Sequence, residues 1–311
     1  MSPSRSDLDP RARTWFDTRT SSWQDWPVAD VLAAKGEHRV AVVIPARDEE
    51  QTIADVVTQI RQDLVADAPL VDELVVMDSL SSDDTAKVAA DAGAVVHSVA
   101  DVRPDLGVRA GKGEALWKSL FVTSADLLVF IDADLTDWGP HFVTGLVGPL
   151  LASEKTLLVK GFYDRQLDFG EGIAAEGGRV TELVARPWLA LNRPELSAVV
   201  QPLAGEWAVR RSHIERLSIP VGYGIEIATL IDTADRAGVD AVAQVDLGQR
   251  GHRHQNLHDL GAMAYELLAV AERRNGREAA ATTGIMPAIT RDRAWQLRAV
   301  DLTERPPAAE S

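Results

Sequence analysis

The run Leu127-Leu128-Val129-Phe130-Ile131-Asp132-Ala133-Asp134 sets apolar residues directly against two carboxylates spaced i, i+2. The apolar stretch is short and lacks helical periodicity, which predicts a strand buried on both faces. Two ionised carboxylates at the end of such a strand repel each other, and taking them out of water is costly without a compensating cation. A divalent metal bridging to a phosphate would supply that cation. The competing reading is a strand that simply ends at the surface, where aspartate is common. The motif alone leaves both open.

Two segments bear on anion binding by a chain of formal net charge −15. Gly177-Gly178-Arg179-Val180-Thr181 opens a helical pattern. Backbone N–H groups at a helix start, the helix dipole and a bidentate guanidinium together suit an anion. Arg250-Gly251-His252-Arg253-His254 is a local excess of positive charge. A chain this acidic repels nucleic acid and anionic membranes, and small anionic substrates would need such pocketed positive groups. The chain has no cysteine, so disulfides, thiolate metal sites and cysteine nucleophiles are excluded.

The elements that must position these groups follow from periodicity. Val40–Ile44 (40–44), Leu74–Asp78 (74–78) and Ala94–His97 (94–97) read as strands, joined by the 127–131 run. Ile53, Val56, Val57 and Ile60 recur at i, i+3, i+4, i+7, a helix between the first two strands. The turn Ser79-Leu80-Ser81-Ser82-Asp83-Asp84-Thr85 starts a second helix, and Gly111-Lys112-Gly113 a third. Four strand–helix alternations predict a parallel sheet with helices on both faces, whose ligands collect at the carboxyl ends of the strands. Pro45-Ala46-Arg47, Asp78-Ser79 and Asp132-Ala133-Asp134 all fall at those ends. Later helices are expected over 179–191, 226–237 and 260–274. There is no Gly-x-Gly-x-x-Gly after the first strand and no Walker A sequence.

At 311 residues, with 46% apolar and 25% charged residues, the composition is that of a soluble globular protein. No stretch approaches the roughly 18 apolar residues of a membrane helix. The first residues do not resemble a signal peptide, and a cytoplasmic location is expected. The first dozen residues and the Pro- and Ala-rich segment 305–311 are expected to be disordered.

The ordered set of strand-end motifs resembles a nucleotide-sugar glycosyltransferase of the GT-A fold. In detail the chain is similar to the glucosyl-3-phosphoglycerate synthases of actinobacteria. The likeness is carried by 109–117, 177–187, Gln201-Pro202-Leu203-Ala204-Gly205-Glu206, Gly222-Tyr223-Gly224-Ile225-Glu226-Ile227, Gly251-His252-Arg253-His254 and Leu260-Gly261-Ala262-Met263. It runs in register over roughly residues 22–270. It implies a GT-A-type α/β fold, a mostly parallel sheet flanked by helices. Residues 1–37 would be a partly disordered extension, 38–156 the nucleotide-sugar-binding half, 157–300 a continuous acceptor-binding half and 301–311 a disordered tail.

The resemblance also implies roles. Pro45, Ala46, Arg47 and Glu49 would frame the uracil and ribose, Ser79 would contact the base, and Lys112 would approach the uridine or diphosphate. Asp132 would hold the ribose or help position the metal, with Asp134 the direct metal ligand and His252 on the metal or diphosphate. Mg²⁺ is the expected ion; imidazole makes Mn²⁺ or Co²⁺ plausible as well. Gly178, Arg179 and Thr181 would bind 3-phosphoglycerate, with Tyr223 and His254 as further contacts. Glu226 would lie near the sugar, orienting a hydroxyl or stabilising oxocarbenium character. The implied reaction is retaining transfer of glucose from UDP-glucose to the acceptor 2-hydroxyl, by a homodimer. Transfer of mannose from GDP-mannose and a non-catalytic nucleotide-binding protein are the alternatives.

Departures from the family pattern are few. Ala133 replaces the usual serine between the aspartates, and Arg47-Asp48 a typical Leu-Asn pair. His254 stands where many relatives have asparagine. Leu80 replaces a usual glycine, which demands a backbone φ compatible with a side chain.

Overall fold

The computed structural model describes residues 9–165, 178–250, 257–277, 283–289 and 295–311. Helix α1 (Pro10–Arg19), strand β1 (Thr20–Ser22) and helix α2 (Val28–Lys35) come first. The expected alternation then follows as β2 (Val40–Ala46), α3 (Ile53–Ile60), β3 (Glu73–Asp78), α4 (Thr85–Asp91), β4 (Val95–Ser98), α5 (Lys112–Ser119) and β5 (Leu127–Phe130). The second half holds α6 (His141–Ala152), β6 (Leu158–Arg165), α7 (Arg186–Asn192), β7 (Trp207–Arg210), α8 (Arg211–Ile214), β8 (Ile219–Pro220), α9 (Ile225–Ala237) and β9 (Val242–Arg250). It closes with α10 (Leu257–Arg274), β10 (Thr283–Ile289), β11 (Trp295–Asp301) and β12 (Glu304–Arg305).

Eight strands form one sheet in the order β1-β9-β6-β7-β5-β2-β3-β4. β7 pairs antiparallel with both β5 and β6; every other pairing in the sheet is parallel. The order reverses between β2 and β5, so their carboxyl ends flank a crevice of the kind where α/β sheets take ligands. Alternation along the strands fills two cores. Ala41, Val43, Leu128 and Phe130 join the core under α5, α7, α9 and α10. Val40, Val42, Ile44, Leu127 and Val129 join the core under α3 and α6.

The structure corrects the expectation at both margins. From Asp9 onward the extension is part of the fold: Asp9 caps α1, and Trp15, 1% exposed, donates its indole N–H to the Val242 carbonyl at 2.9 Å. β1 then adds a parallel edge strand beside β9. The segment 301–311, expected as a disordered tail, is likewise docked. β12 pairs antiparallel with β8, and Arg305 forms two hydrogen bonds of 2.7 Å to the buried Glu114 carboxylate. A Pro- and Ala-rich composition carries little core-forming signal, and the segment is held instead by strand pairing, by Arg305 on buried Glu114 and by the Trp117 indole N–H on the Pro306 carbonyl.

The helix expected over 179–191 is broken in type. It runs helically from Arg179, passes through a π-helical turn at Thr181–Ala185 and continues as α7. Pro187 lacks the N–H that would bond to the Leu183 carbonyl, so the regular ladder cannot pass through this point.

Candidate active site

The first wall of the crevice is made by two interlocked loops. The Ser79 N–H donates to the Ala46 carbonyl at 2.8 Å, continuing the β2–β3 pairing past the strand ends. Asp48 accepts from the Ser82 N–H at 2.7 Å, and the Glu49 N–H donates to the Thr85 hydroxyl at 2.8 Å. Pro45, Ala46, Glu49 and Ser79 are thus brought together, while the Arg47 side chain is 60% exposed at the rim. Leu80 takes φ +63°, a left-handed conformation that strains a residue carrying a side chain. Asp48, with φ +57°, is the opposing left-handed residue.

The chemical centre lies at the end of β5. Ile131 and Ala133 are buried in the α3/α6 core, so alternation turns Asp132 toward the α5/α9 side of the sheet. There it meets Lys112, whose ammonium is 2.6 Å from Asp132 Oδ1 and 2.8 Å from Glu226 Oε1. Burial alone would lower the Lys112 pKa, but the Asp132 and Glu226 carboxylates outweigh it and hold it above the ordinary lysine range.

Lys112 and Glu226 come from helices whose starts are fastened together. The Gly113 N–H donates to the Gly222 carbonyl at 3.1 Å, and the Glu114 N–H to that of Val221 at 2.8 Å. These bonds satisfy donors that a helix start otherwise leaves orphaned. The approach is so close that a Cβ at Gly113 would overlap the Pro220 carbonyl. Glycine is therefore required there for contact, not only for the turn.

The remaining expected residues are less tightly grouped. Asp134 is half-buried just beyond Asp132, separated by the buried Ala133. Among the described residues no group of three or more His, Asp or Glu side chains could hold a metal. A hard divalent cation needs only one or two protein carboxylates when substrate phosphates complete its shell, so Asp134 with a diphosphate fits such an ion. His252 and His254 lie outside the described residues. Gly178 and Arg179 start the helical segment before α7, with Arg179 exposed and Thr181 4% exposed. Tyr223, 47% exposed, sits in the turn that leads into α9.

Two buried charged groups that local sequence patterns do not place adjoin the crevice. Glu266 of α10, 6% exposed, accepts from the Gly224 N–H at 3.0 Å and so braces that turn. Burial pushes its pKa up to about 7, against the lowering effect of the Gly224 and Tyr223 N–H groups. The other is Lys160, fully buried on β6. Its signal was present: a lysine inside the apolar run Leu157-Leu158-Val159-Lys160-Gly161-Phe162 has to have a buried partner.

A parallel sheet with one reversed strand, a switch-point crevice and strand-end carboxylates beside a buried lysine match what the resemblance to nucleotide-sugar glycosyltransferases of the GT-A fold implies. Comparison with known proteins agrees. The profile of glycosyl transferase family 2 matches residues 41–217. The glucosyl-3-phosphoglycerate synthase of Mycobacterium tuberculosis H37Rv is 51% identical over 81% of this chain and 78% of its own length. That of Mycolicibacterium paratuberculosis is 48% identical over 85% and 80%. The crystal structure of the M. tuberculosis enzyme with Mn²⁺ and UDP-glucose superposes with a TM-score of 0.82 at 45% identity, covering 92% of this chain and 95% of that one. The same enzyme with Mn²⁺, UDP-glucose and phosphoglyceric acid gives 0.83 at 44% identity, covering 94% and 99%. The chain belongs to the glucosyl-3-phosphoglycerate synthases of glycosyl transferase family 2, metal-dependent glycosyltransferases.

Proposed function

We propose that the protein transfers glucose from UDP-glucose to the 2-hydroxyl of 3-phosphoglycerate, with retention at the anomeric carbon and Mg²⁺ as the working ion. The observation that carries this reading is the Lys112–Asp132–Glu226 network at the switch point of the sheet. Pro45, Ala46, Arg47, Glu49 and Ser79 line the loops assigned to uridine, Asp132 is assigned to the ribose or to positioning the metal, and Ala133 links it to Asp134. Asp134 and His252 would hold the metal, which when bound neutralises charge developing on the leaving diphosphate. Gly178, Arg179, Thr181, Tyr223 and His254 are assigned to the acceptor.

Lys112 holds Glu226 by its Oε1 and so orients the carboxylate toward the sugar. Glu226 then positions a glucose hydroxyl and stabilises positive charge at the anomeric carbon. The acceptor hydroxyl attacks from the face that the diphosphate leaves. The bond from the anomeric carbon to the diphosphate oxygen breaks, the bond to the acceptor oxygen forms, and the acceptor proton passes to the departing diphosphate. Isolation of a glucosylated Glu226 peptide would replace this front-face path with a double displacement.

The test is a donor panel. Purified protein with Mg²⁺ and 3-phosphoglycerate is offered UDP-glucose, ADP-glucose, GDP-glucose and GDP-mannose, and product anomers are read by NMR. α-Glucosyl product from UDP-glucose is expected, with loss of turnover in Asp134→Ala at unchanged fold. Transfer from GDP-mannose alone would reassign the donor, and transfer from none would favour a binding protein.

The reading includes a homodimer in the cytoplasm. Ile285, Pro287, Leu297 and Ala299 present an exposed apolar face on the β10–β11 hairpin, which is the candidate contact between copies. Light scattering of the purified chain reads the oligomeric state.

A further inference from the structure

Lys160 is a buried cation for which the transfer steps above have no use. It lies in the central part of the sheet, on β6 opposite Trp207 of β7. It is 0% exposed. Its ammonium donates to the Ala204 carbonyl at 2.8 Å and sits 5.6 Å from the centroid of the Trp207 ring. Burying an ammonium in a sheet costs free energy unless a partner compensates, so a lysine kept there needs a reason beyond packing.

The Ala204 carbonyl gives that reason a place. Residues 201–204 form a turn, closed by the Ala204 N–H on the Gln201 carbonyl at 3.1 Å. The next residue, Gly205, lies so close to Asp132 that a Cβ there would collide with the Asp132 carboxylate. One peptide unit therefore separates the atom held by Lys160 from the carboxylate held by Lys112.

Four charged groups act on the Lys160 ammonium. Glu226 faces it from α9, Lys112 from the start of α5, Glu206 from the segment before β7, and Asp132 from beyond β5. Burial is the largest influence and brings its pKa down to about 8; the three carboxylates raise it and Lys112 lowers it further.

We propose that Lys160 is a positioning residue for glucosyl transfer: its ammonium holds the Ala204 carbonyl and thereby seats the 204–205 peptide against Asp132, under the reacting end of the donor. The inference rests on the assignment of Asp132 to the donor site. Misplacement of that floor by a fraction of an ångström would disturb the aligned geometry of transfer more than it would weaken donor binding. The ammonium form is the competent one, so turnover is retained below pH 8 and lost as pH rises through it.

The experiment compares wild type with Lys160→Met, a neutral side chain of similar volume, and Lys160→Gln, which keeps a donor toward Ala204. Lys160→Met should lower kcat by about ten- to a hundredfold while KM for UDP-glucose changes by less than about threefold. The wild-type fall in kcat above pH 8 should be absent in both variants. Lys160→Gln should retain more activity than Lys160→Met, and it carries the pH test if Lys160→Met does not fold. A Lys160→Met enzyme with kcat within about twofold of wild type, or an alkaline fall that persists in either variant, overturns the proposal. Failure of the donor-site assignment would show separately, as calorimetric UDP binding unaffected by Asp132→Asn.

Discussion

Helix α5 carries two buried charge clusters less than one turn apart, and they are built to different ends. At its start, Lys112 faces two carboxylates, with side chains 15% exposed for Lys112, 24% for Asp132 and 6% for Glu226. Two residues on, Glu114 faces two cations: Arg305 at 2.7 Å and Lys118 at 3.6 Å. In this second cluster the Glu114 and Lys118 side chains are fully buried, and every cation has further carbonyl partners. Lys118 donates to Val99 and Gly107 carbonyls, and Arg305 to those of Leu106 and Gly107. The first cluster has an excess of negative charge and an opening to solvent, which leaves room for a cation and a ligand. The second is saturated and closed. Similar residues thus form an open, ligand-ready cluster in one place and attach the 301–311 segment in the other.

Breaking the first cluster should cost mainly turnover. Lys112→Met removes the only cation within 3 Å of both Asp132 and Glu226 among the described contacts. We expect kcat/KM for UDP-glucose to fall by two to three orders of magnitude, roughly the value of one preorganised electrostatic partner. The melting temperature should drop less than in the second-cluster variant below, because Asp132 can regain water. A steady-state assay paired with a thermal melt reads both. Near-normal turnover would remove the triad from the mechanism.

The second cluster should respond in the opposite sense. Arg305→Met leaves Glu114 buried without its bidentate partner, and removing one member of a buried pair typically costs about 3–5 kcal/mol. Urea unfolding should show that loss, with turnover per folded molecule close to wild type. The double variant Arg305→Met/Glu114→Met should recover little of the stability, because it strands the fully buried Lys118 ammonium in place of the Glu114 carboxylate. A single variant as stable as wild type would mean that the 301–311 segment is held by strand pairing alone.

Glu266 sharpens the comparison with a smaller effect. It belongs to the first region, yet backbone N–H groups are its partners, and burial raises its folded pKa from 4.5 to about 7. The folded state therefore binds more protons than the unfolded state between those values, and stability falls as pH rises through that window. The raised pKa corresponds to a contribution of about 3 kcal/mol, full below the lower value and gone above the upper. Glu266→Gln keeps an acceptor for Gly224 and should flatten unfolding free energy between pH 5 and pH 8. An unchanged pH slope would refute the shifted carboxyl.

What could be read in advance follows the range of the interaction. Periodicity sufficed for the four strand–helix units, and the apolar run ending in Asp132 and Asp134 placed both carboxylates at a strand end. Loop chemistry at Ser79–Thr85 was equally local. The Lys112–Glu226 pair joins residues 114 positions apart, and only the fastening of α5 onto the 221–222 backbone brings them together. Arg305 lies in a segment that looks unfavourable for a core when considered alone; its partner lies 191 residues away. The anchoring of Trp15 is just as non-local, its acceptor being 227 residues distant. Lys160 was legible as an anomaly in an apolar run, but its acceptor on Ala204 was not. Family resemblance supplied the roles that local patterns do not encode.

The smallest effect tests whether strain in the first region serves function. Leu80, half exposed, holds φ +63° in the loop that presents Ser79. A left-handed backbone costs a non-glycine residue about 1–2 kcal/mol, and glycine removes that strain while adding unfolded-state entropy. Leu80→Gly should therefore stabilise the protein by no more than about 1 kcal/mol, visible as a small rise in the urea midpoint at unchanged slope. Because an exposed side chain contributes little burial, no packing term offsets the gain. UDP affinity is the discriminating readout. If the leucine serves only as a tolerated substitution, affinity stays level as stability rises. If it weakens in Leu80→Gly, the rigid left-handed residue is what holds Ser79 against Ala46, and the strain belongs with the open, ligand-ready cluster and not with the closed one.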